Sequence, residues 1–188
     1  MIKEENLKQF IYKFPDILTV AKKLNDAHID WMIGGSGCLF LLGNKRFPGD
    51  VDIFIPDDQH DKVDQIFEIK SYTHQSSAGP VRNSNFGGGH DIQFTSHVEY
   101  NFDKHYEYKI TGPVISKIIS FKYDEIVLYL LPPEDSILIK ALLQRGASEG
   151  KSDLEDIKNF TDIYELDRLY LNDRIKELGA EKRVANIF

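Results

Sequence analysis

Two aspartates that bracket one valine, Asp50-Val51-Asp52, are the residues of this sequence best suited to chemistry. On a β-strand, residues two apart project from the same face. Both carboxylates would then aim in one direction while Val51, Ile53 and Ile55 enter the opposite side. Neighbouring anions repel unless something positive sits between them. A hard divalent cation answers this, because Mg²⁺ takes oxygens from one or two carboxylates and completes its octahedron with phosphate oxygens and water. Upstream, Gly34-Gly35-Ser36 supplies the complementary half. Without Cβ atoms the two glycines let a phosphate approach the main chain, and the Ser36 hydroxyl, with free N–H groups at the following helix start, can hold its oxygens. Each half alone is commonplace: Gly-Gly often only joins a strand to a helix, and Asp-x-Asp is often a solvated strand edge. In the order strand, Gly-Gly-Ser, helix, short loop, acidic strand, they describe a site that grips a triphosphate at one end and its metal at the other.

The elements that must position these residues can be read along the chain. "DILTVAKKLNDAHI" places Ile17, Leu18, Ala21, Leu24 and Ala27 at helical spacing, which predicts an amphipathic helix. "WMI" reads as a short buried strand, and Ser36 is expected to cap a helix through "GCLFLLG". After the loop "NKRFPG", "DVDIFI" is the acidic strand. A helix follows through "PDDQHDKVDQIFEI", then a strand or loop over 71–78 and a strand over 90–94 fed by three glycines. Further β-leaning residues lie at 107–111 and 117–130. At "LPPED" the texture changes. Pro133 suits a first helical position, and "EDSILIKALLQRG", "KSDLEDIKNFTDIY" and "LDRLYLNDRIKELG" read as helices. The expected division is a mixed part over 1–131 and a helical part over 132–188.

Composition narrows the partners. The 188 residues carry 23 basic and 30 acidic side chains, a net charge of −7 that disfavours a broad surface for duplex DNA and suits a small ligand or a metal-nucleotide complex. No stretch approaches the roughly 18 apolar residues that span a bilayer, and "MIKEENLKQF" lacks a secretory apolar block, so no membrane association and a cytoplasmic address are expected. The single Cys38 reads as a small core residue. A P-loop run is absent, and the six histidines show no paired helical ligand spacing, so P-loop phosphoryl transfer and zinc hydrolysis fit poorly.

Gly34-Gly35-Ser36, thirteen residues, then Asp50-Val51-Asp52-Ile53 resembles the signature of the DNA polymerase β-like nucleotidyltransferase superfamily. "LPPEDSILIKALLQRGASEGKSDLEDI" is similar to the segment that follows the catalytic domain in small abortive-infection-type and antibiotic-modifying members. The resemblance implies an α+β fold, with a small mixed sheet flanked by helices as catalytic domain over 1–131 and a C-terminal helical domain over 132–188. It implies two Mg²⁺ ions held by acids, and transfer of a nucleoside monophosphate from a nucleoside triphosphate such as ATP to an acceptor, with release of pyrophosphate. Many members add a third carboxylate from a neighbouring strand. Asp91 in "GHDIQF" matches best, with Asp103 the rival, and its implied work is to help hold metal and accept the attacking hydroxyl's proton.

The remaining candidates carry two readings each. Lys140 lines up with Ser136 and Gln144 on the polar side of a helix, either solvated or reaching the triphosphate, and Arg145 is read likewise. Lys45 and Arg46 are surface charges or attract substrate; Phe47, Phe86 and Tyr106 are candidates to stack on a base, and His90 to sit at the acceptor. Lys151, Asp153 and Asp156 read as a charged helix start without chemistry. The expected acceptor is a small molecule, a protein hydroxyl or tRNA. The non-enzymatic rival is a nucleotide-binding or interaction module on the same fold.

Overall fold

The structure, a computed structural model, describes residues 2–75, 79–88 and 91–188. The expected strand positions 76–78 and His90 fall outside these residues. Helix α1 (Glu4–Lys13) turns at Phe14-Pro15 into α2 (Asp16–Asp26), which is followed by β1 (Met32–Ile33), α3 (Gly35–Leu41) and β2 (Val51–Phe54). Next come α4 (His60–Phe67), β3 (Tyr72–Gln75), β4 (Pro80–Asn85), β5 (Ile92–Asn101) and β6 (His105–Tyr108). The chain continues through α5 (Gly112–Ser116), β7 (Ile119–Tyr123) and β8 (Ile126–Leu130), then α6 (Pro133–Leu143), α7 (Asp153–Thr161), α8 (Arg168–Glu177) and α9 (Glu181–Val184).

The strands form one mixed sheet in the order β3-β4-β5-β2-β1-β8-β7, with β6 pairing on β5 as well. β1 runs antiparallel to β2, with Ile33 opposite Ile53, and parallel to β8. This pairing explains why the glycine turn accompanies the aspartates: Gly34 N–H, at the end of β1, donates to the Asp52 carbonyl at 2.9 Å. The alternation read from "DVDIFI" holds, since Val51, Ile53 and Ile55 are all fully buried. β4 was not foreseen; it opens on Pro80 and ends Asn83-Ser84-Asn85, a polar run whose strand form comes from pairing on both sides, with β3 and β5.

Helix α6 is the pivot of the C-terminal part. Every residue from Pro133 to Leu142 is buried, because α6 packs against α3 on one side and α7, α8 and α9 on the others. A helix covered all round is a core element. Its Ile137, Leu138 and Leu142 join Ile33, Leu39 and Val51 in one hydrophobic cluster, so residues on either side of Pro132 share a core. Cys38 lies in that cluster with its thiol pointing at the Leu131 carbonyl, and burial pushes the thiol up to about 12. Among the described residues no helix is long and apolar enough to cross a membrane.

Candidate active site

Gly35, Ser36, Asp50, Asp52 and Lys140 line one open cleft of about 330 Å³ between the sheet and α6. The turn that starts α3 is set by Gly35, whose φ is +53°, in the left-handed region where a side chain is strained. A Cβ there would also lie 2.8 Å from Asp52 Oδ2. The space that glycine leaves therefore admits the Asp52 carboxylate itself. At Gly34 a Cβ would come within 2.5 Å of the Phe54 ring, which packs directly on the turn. Ser36 does not cap α3, as the sequence suggested; Gly34 holds that position and Ser36 lies inside the first turn. Its Oγ instead accepts hydrogen bonds from Arg46 Nη2 at 2.8 Å and Lys140 Nζ at 3.2 Å. A hydroxyl has two acceptor sites and one proton, so with both acceptor sites taken the Ser36 proton is left to donate to an incoming oxygen.

The side-chain carboxylates of Asp50 and Asp52 have no hydrogen-bond or ion-pair partner among the described residues, although both residues line the cleft. Partial burial and the adjacent Asp50 charge push the Asp52 carboxyl up to about 6, against the pull of Lys151, Lys140 and Arg145. Two oxygen-donor carboxylates without protein partners, in a cleft that raises the cost of charge on Asp52, suit a hard divalent cation.

Asp91 does not join them. β2 and β5 pair in parallel with Asp52 opposite Gln93, so a carboxamide stands where a third carboxylate was expected. Asp91 precedes β5, where its carbonyl accepts from Val51 N–H, and its side chain is exposed in a separate cleft beside Lys13, Pro15 and Asp16. Among the described residues no group of three or more His, Cys, Asp or Glu is placed to hold a metal. Asp103, the rival, accepts from the Tyr106 hydroxyl instead.

Residues 13–184 match a family described as "nucleotidyl transferase of unknown function" (DUF2204). The chain belongs to this family. Its fold is shared with solved nucleotidyltransferase structures. One is a protein of Thermotoga maritima assigned as a nucleotidyltransferase, with 15% identity, TM-score 0.52, and 80% of this chain and 90% of that one covered. Another is ANT(2")-Ia in complex with adenylyl-2"-tobramycin, with 13% identity, TM-score 0.50, and coverage of 94% and 97%. At such identities the likeness shows the fold alone. No curated protein matched the sequence.

On this nucleotidyltransferase scaffold the basic side of the cleft is an ion network that the sequence disguised. Lys140 is only 4% exposed, which removes the solvated reading. Its Nζ lies 2.8 Å from Asp156 and 3.2 Å from Asp153, the two acids expected to be an inert helix start. Asp156 also takes both ends of the Arg46 guanidinium, and Asp153 accepts from Arg145 Nε at 2.9 Å and from its backbone N–H at 3.0 Å. Burial opposes charge on both acids, yet Arg145 and Lys140 hold Asp153, and Arg46 and Lys140 hold Asp156, below the usual carboxylate range. Lys151 also lines the cleft, and among the described residues it has no ion-pair partner. Asp153 and Asp156 are spaced i, i+3 on α7, which puts both on one helix face; that spacing was the signal available. Phe47, Phe86 and Tyr106 do not reach the cleft: Phe47 stacks on Phe14 and meets Phe40 edge to face, Phe86 meets Phe67 edge to face, and Tyr106 is buried. The aromatic rings that do line it are Phe54, Tyr100 and His74.

Proposed function

We propose that this protein is a Mg²⁺-dependent nucleotidyltransferase that moves a nucleoside monophosphate from a nucleoside triphosphate to a hydroxyl acceptor and releases pyrophosphate. The observation that carries the reading is the pair of unpartnered carboxylates, Asp50 and Asp52, facing Ser36 and a basic wall across one cleft. Asp50 and Asp52 would hold Mg²⁺, which when bound neutralises phosphate charge. Ser36 donates its remaining proton to a phosphate oxygen. Lys151, with Lys140, Arg145 and Arg46 behind it, offsets the negative charge that grows on the leaving pyrophosphate. The acceptor oxygen attacks the α-phosphorus, the bond from that phosphorus to the bridging oxygen breaks, its electron pair leaves with pyrophosphate, and the hydroxyl proton passes to solvent. A small-molecule acceptor is favoured because the cleft is compact and one structural neighbour was solved with adenylyl-2"-tobramycin.

The test is thermal stabilisation of wild type and Asp52→Asn by each of the four ribonucleoside triphosphates, with and without Mg²⁺. A ligand bound only to the folded state raises the midpoint. One triphosphate stabilising only the wild type, and only with Mg²⁺, supports the metal-nucleotide site. Equal stabilisation of both proteins removes the metal role. Gln93 in place of a third acid favours one alternative, a nucleotide-binding module without turnover. Pyrophosphate release in the presence of acceptor separates the two.

A further inference from the structure

The two walls of the cleft differ in chemistry. Arg46, Lys140, Arg145 and Lys151 stand on the side of α6, α7 and the loop before β2. On β3 to β5 the lining is His74, Val81, Asn83, Gln93, Thr95 and Val98, with no group of fixed charge, while Tyr100 at the end of β5 lies near Arg145. In-line displacement puts the attacking and leaving oxygens on opposite sides of the phosphorus. Pyrophosphate carries the charge and belongs at the basic wall, so the acceptor belongs at the neutral one.

We propose that Asn83 and Gln93 select the acceptor and that it is a neutral, hydroxyl-rich small molecule; this rests on the nucleotidyl-transfer reading above. Asn83 is 9% exposed and sits opposite Thr95 in the β4–β5 pairing. The Thr95 hydroxyl donates to Asn83 Oδ1 at 3.0 Å. This contact fixes the amide's orientation and leaves the Asn83 N–H groups to donate into the cleft. Gln93 stands beside Asp52 in register, and among the described residues its side chain has no hydrogen-bond partner. A carboxamide offers both donors and an acceptor, which matches a hydroxyl that also does both. An ammonium group brings donors only and would oppose the Asn83 N–H groups. A phosphodiester chain brings negative charge to a wall without a fixed positive charge, whereas RNA binding draws on phosphate-neutralising lysines and arginines. The wall therefore discriminates a neutral polyol from a cationic small molecule and from RNA.

The test holds the protein with Mg²⁺ and an α,β-non-hydrolysable analogue of the stabilising nucleotide. Binding of methyl β-glucoside, myo-inositol and maltotriose is compared with that of tobramycin and a 12-nucleotide RNA by saturation-transfer NMR and calorimetry. At least one neutral polyol should bind the wild type more tightly than tobramycin or the RNA. Its affinity should fall about tenfold or more in Asn83→Ala and in Gln93→Leu, because a polar site left unpaired rejects its ligand. Thr95→Val, which frees the Asn83 amide to rotate, should give a smaller loss. Nucleotide stabilisation should be unchanged in Asn83→Ala and in Thr95→Val. Should Asn83→Ala fail to fold, Gln93→Leu carries the test. Tighter binding of tobramycin or RNA, no binding of any neutral polyol, or polyol affinity unmoved by the variants would each overturn the proposal while nucleotide binding stands. Nucleotide that stabilises none of the proteins would overturn the nucleotidyl-transfer reading, and this proposal with it.

Discussion

Two acidic sites in this molecule differ in how far their carboxylates are satisfied. At one, Asp135 on α6 is fully buried, and its carboxylate accepts from the Tyr108 hydroxyl at 2.9 Å, from Tyr170 and from Arg174 Nε at 2.9 Å. Arg174 in turn donates to Glu177 and to the Lys109 carbonyl, tying α8 to α6 and to the end of β6. At the other, Asp50 and Asp52 face the cleft with no partner among the described residues. A buried charge with all its hydrogen bonds made is architecture; a carboxylate pair that repels and waits is a binding site. The network around Lys140 lies between these extremes. Its acids are fully engaged, and what they hold in place is a set of cations along the cleft wall.

The contrast predicts which property each substitution damages. The largest effect belongs to Asp52→Asn, which should lower transfer by about a thousandfold, roughly 4 kcal/mol in the barrier, with the melting midpoint kept or raised. Near-normal turnover in a steady-state pyrophosphate assay would collapse the distinction. Asp135→Ala should do the opposite. Leaving Arg174 buried and unpaired should cost about 3–5 kcal/mol in denaturant unfolding, whereas replacing Asp135 and Arg174 together by Leu and Met should recover much of that loss. Gly35→Ala strikes both properties, since a side chain at φ +53° is strained and would press on Asp52. We expect about 1–3 kcal/mol of destabilisation together with weakened Mg²⁺-nucleotide binding, read by unfolding and calorimetry on the same sample.

The smallest effect is in the pH dependence of the ligand-free protein. The Asp52 carboxyl is held up at about 6, so the folded state keeps a proton that the unfolded chain releases nearer the ordinary carboxylate value. Its contribution to stability is present below that ordinary value and is lost as pH rises through about 6. Asp52→Asn should therefore gain on the wild type between pH 4 and pH 7, by about 1 kcal/mol once solvent screening of a partly exposed group is allowed for. Asp153 and Asp156, held low, act in reverse and weaken both proteins alike towards acid pH. A gap between the two proteins that stays constant over this range would show that Asp52 is not strained by its charge.

Local order in the chain was enough for most of the elements and for the turn and strand that carry Gly34 to Ser36 and Asp50 to Asp52, though not for β4. Alternation fixes which side of β2 is apolar, and the glycines mark the turn, because both depend on residues a few positions apart. The Ser36 cap failed locally: Gly35 takes the left-handed conformation, and the helix starts two residues earlier than the Ser-first pattern implies. Asp91 failed for a different reason. Asp91 lies just before β5 with its side chain in another cleft, and the β2–β5 register sets Gln93 beside Asp52, neither of which alternation along the strand reveals. Lys140 was legible as a candidate for the triphosphate, but its partners Asp153 and Asp156 were not, because a helix start with three acids in its first turn has the composition of a solvated one. It is the return of α7 onto α6 that buries them.

What the sequence determined by itself is the mixed α+β order of elements and the pairing of a glycine turn with two aspartates, because periodicity and turn chemistry are short-range properties. What only the tertiary structure decided is which side chains meet across the cleft. Strand register and helix docking join residues up to 110 positions apart, as Arg46 meets Asp156, and those contacts are set by core packing rather than by any local pattern.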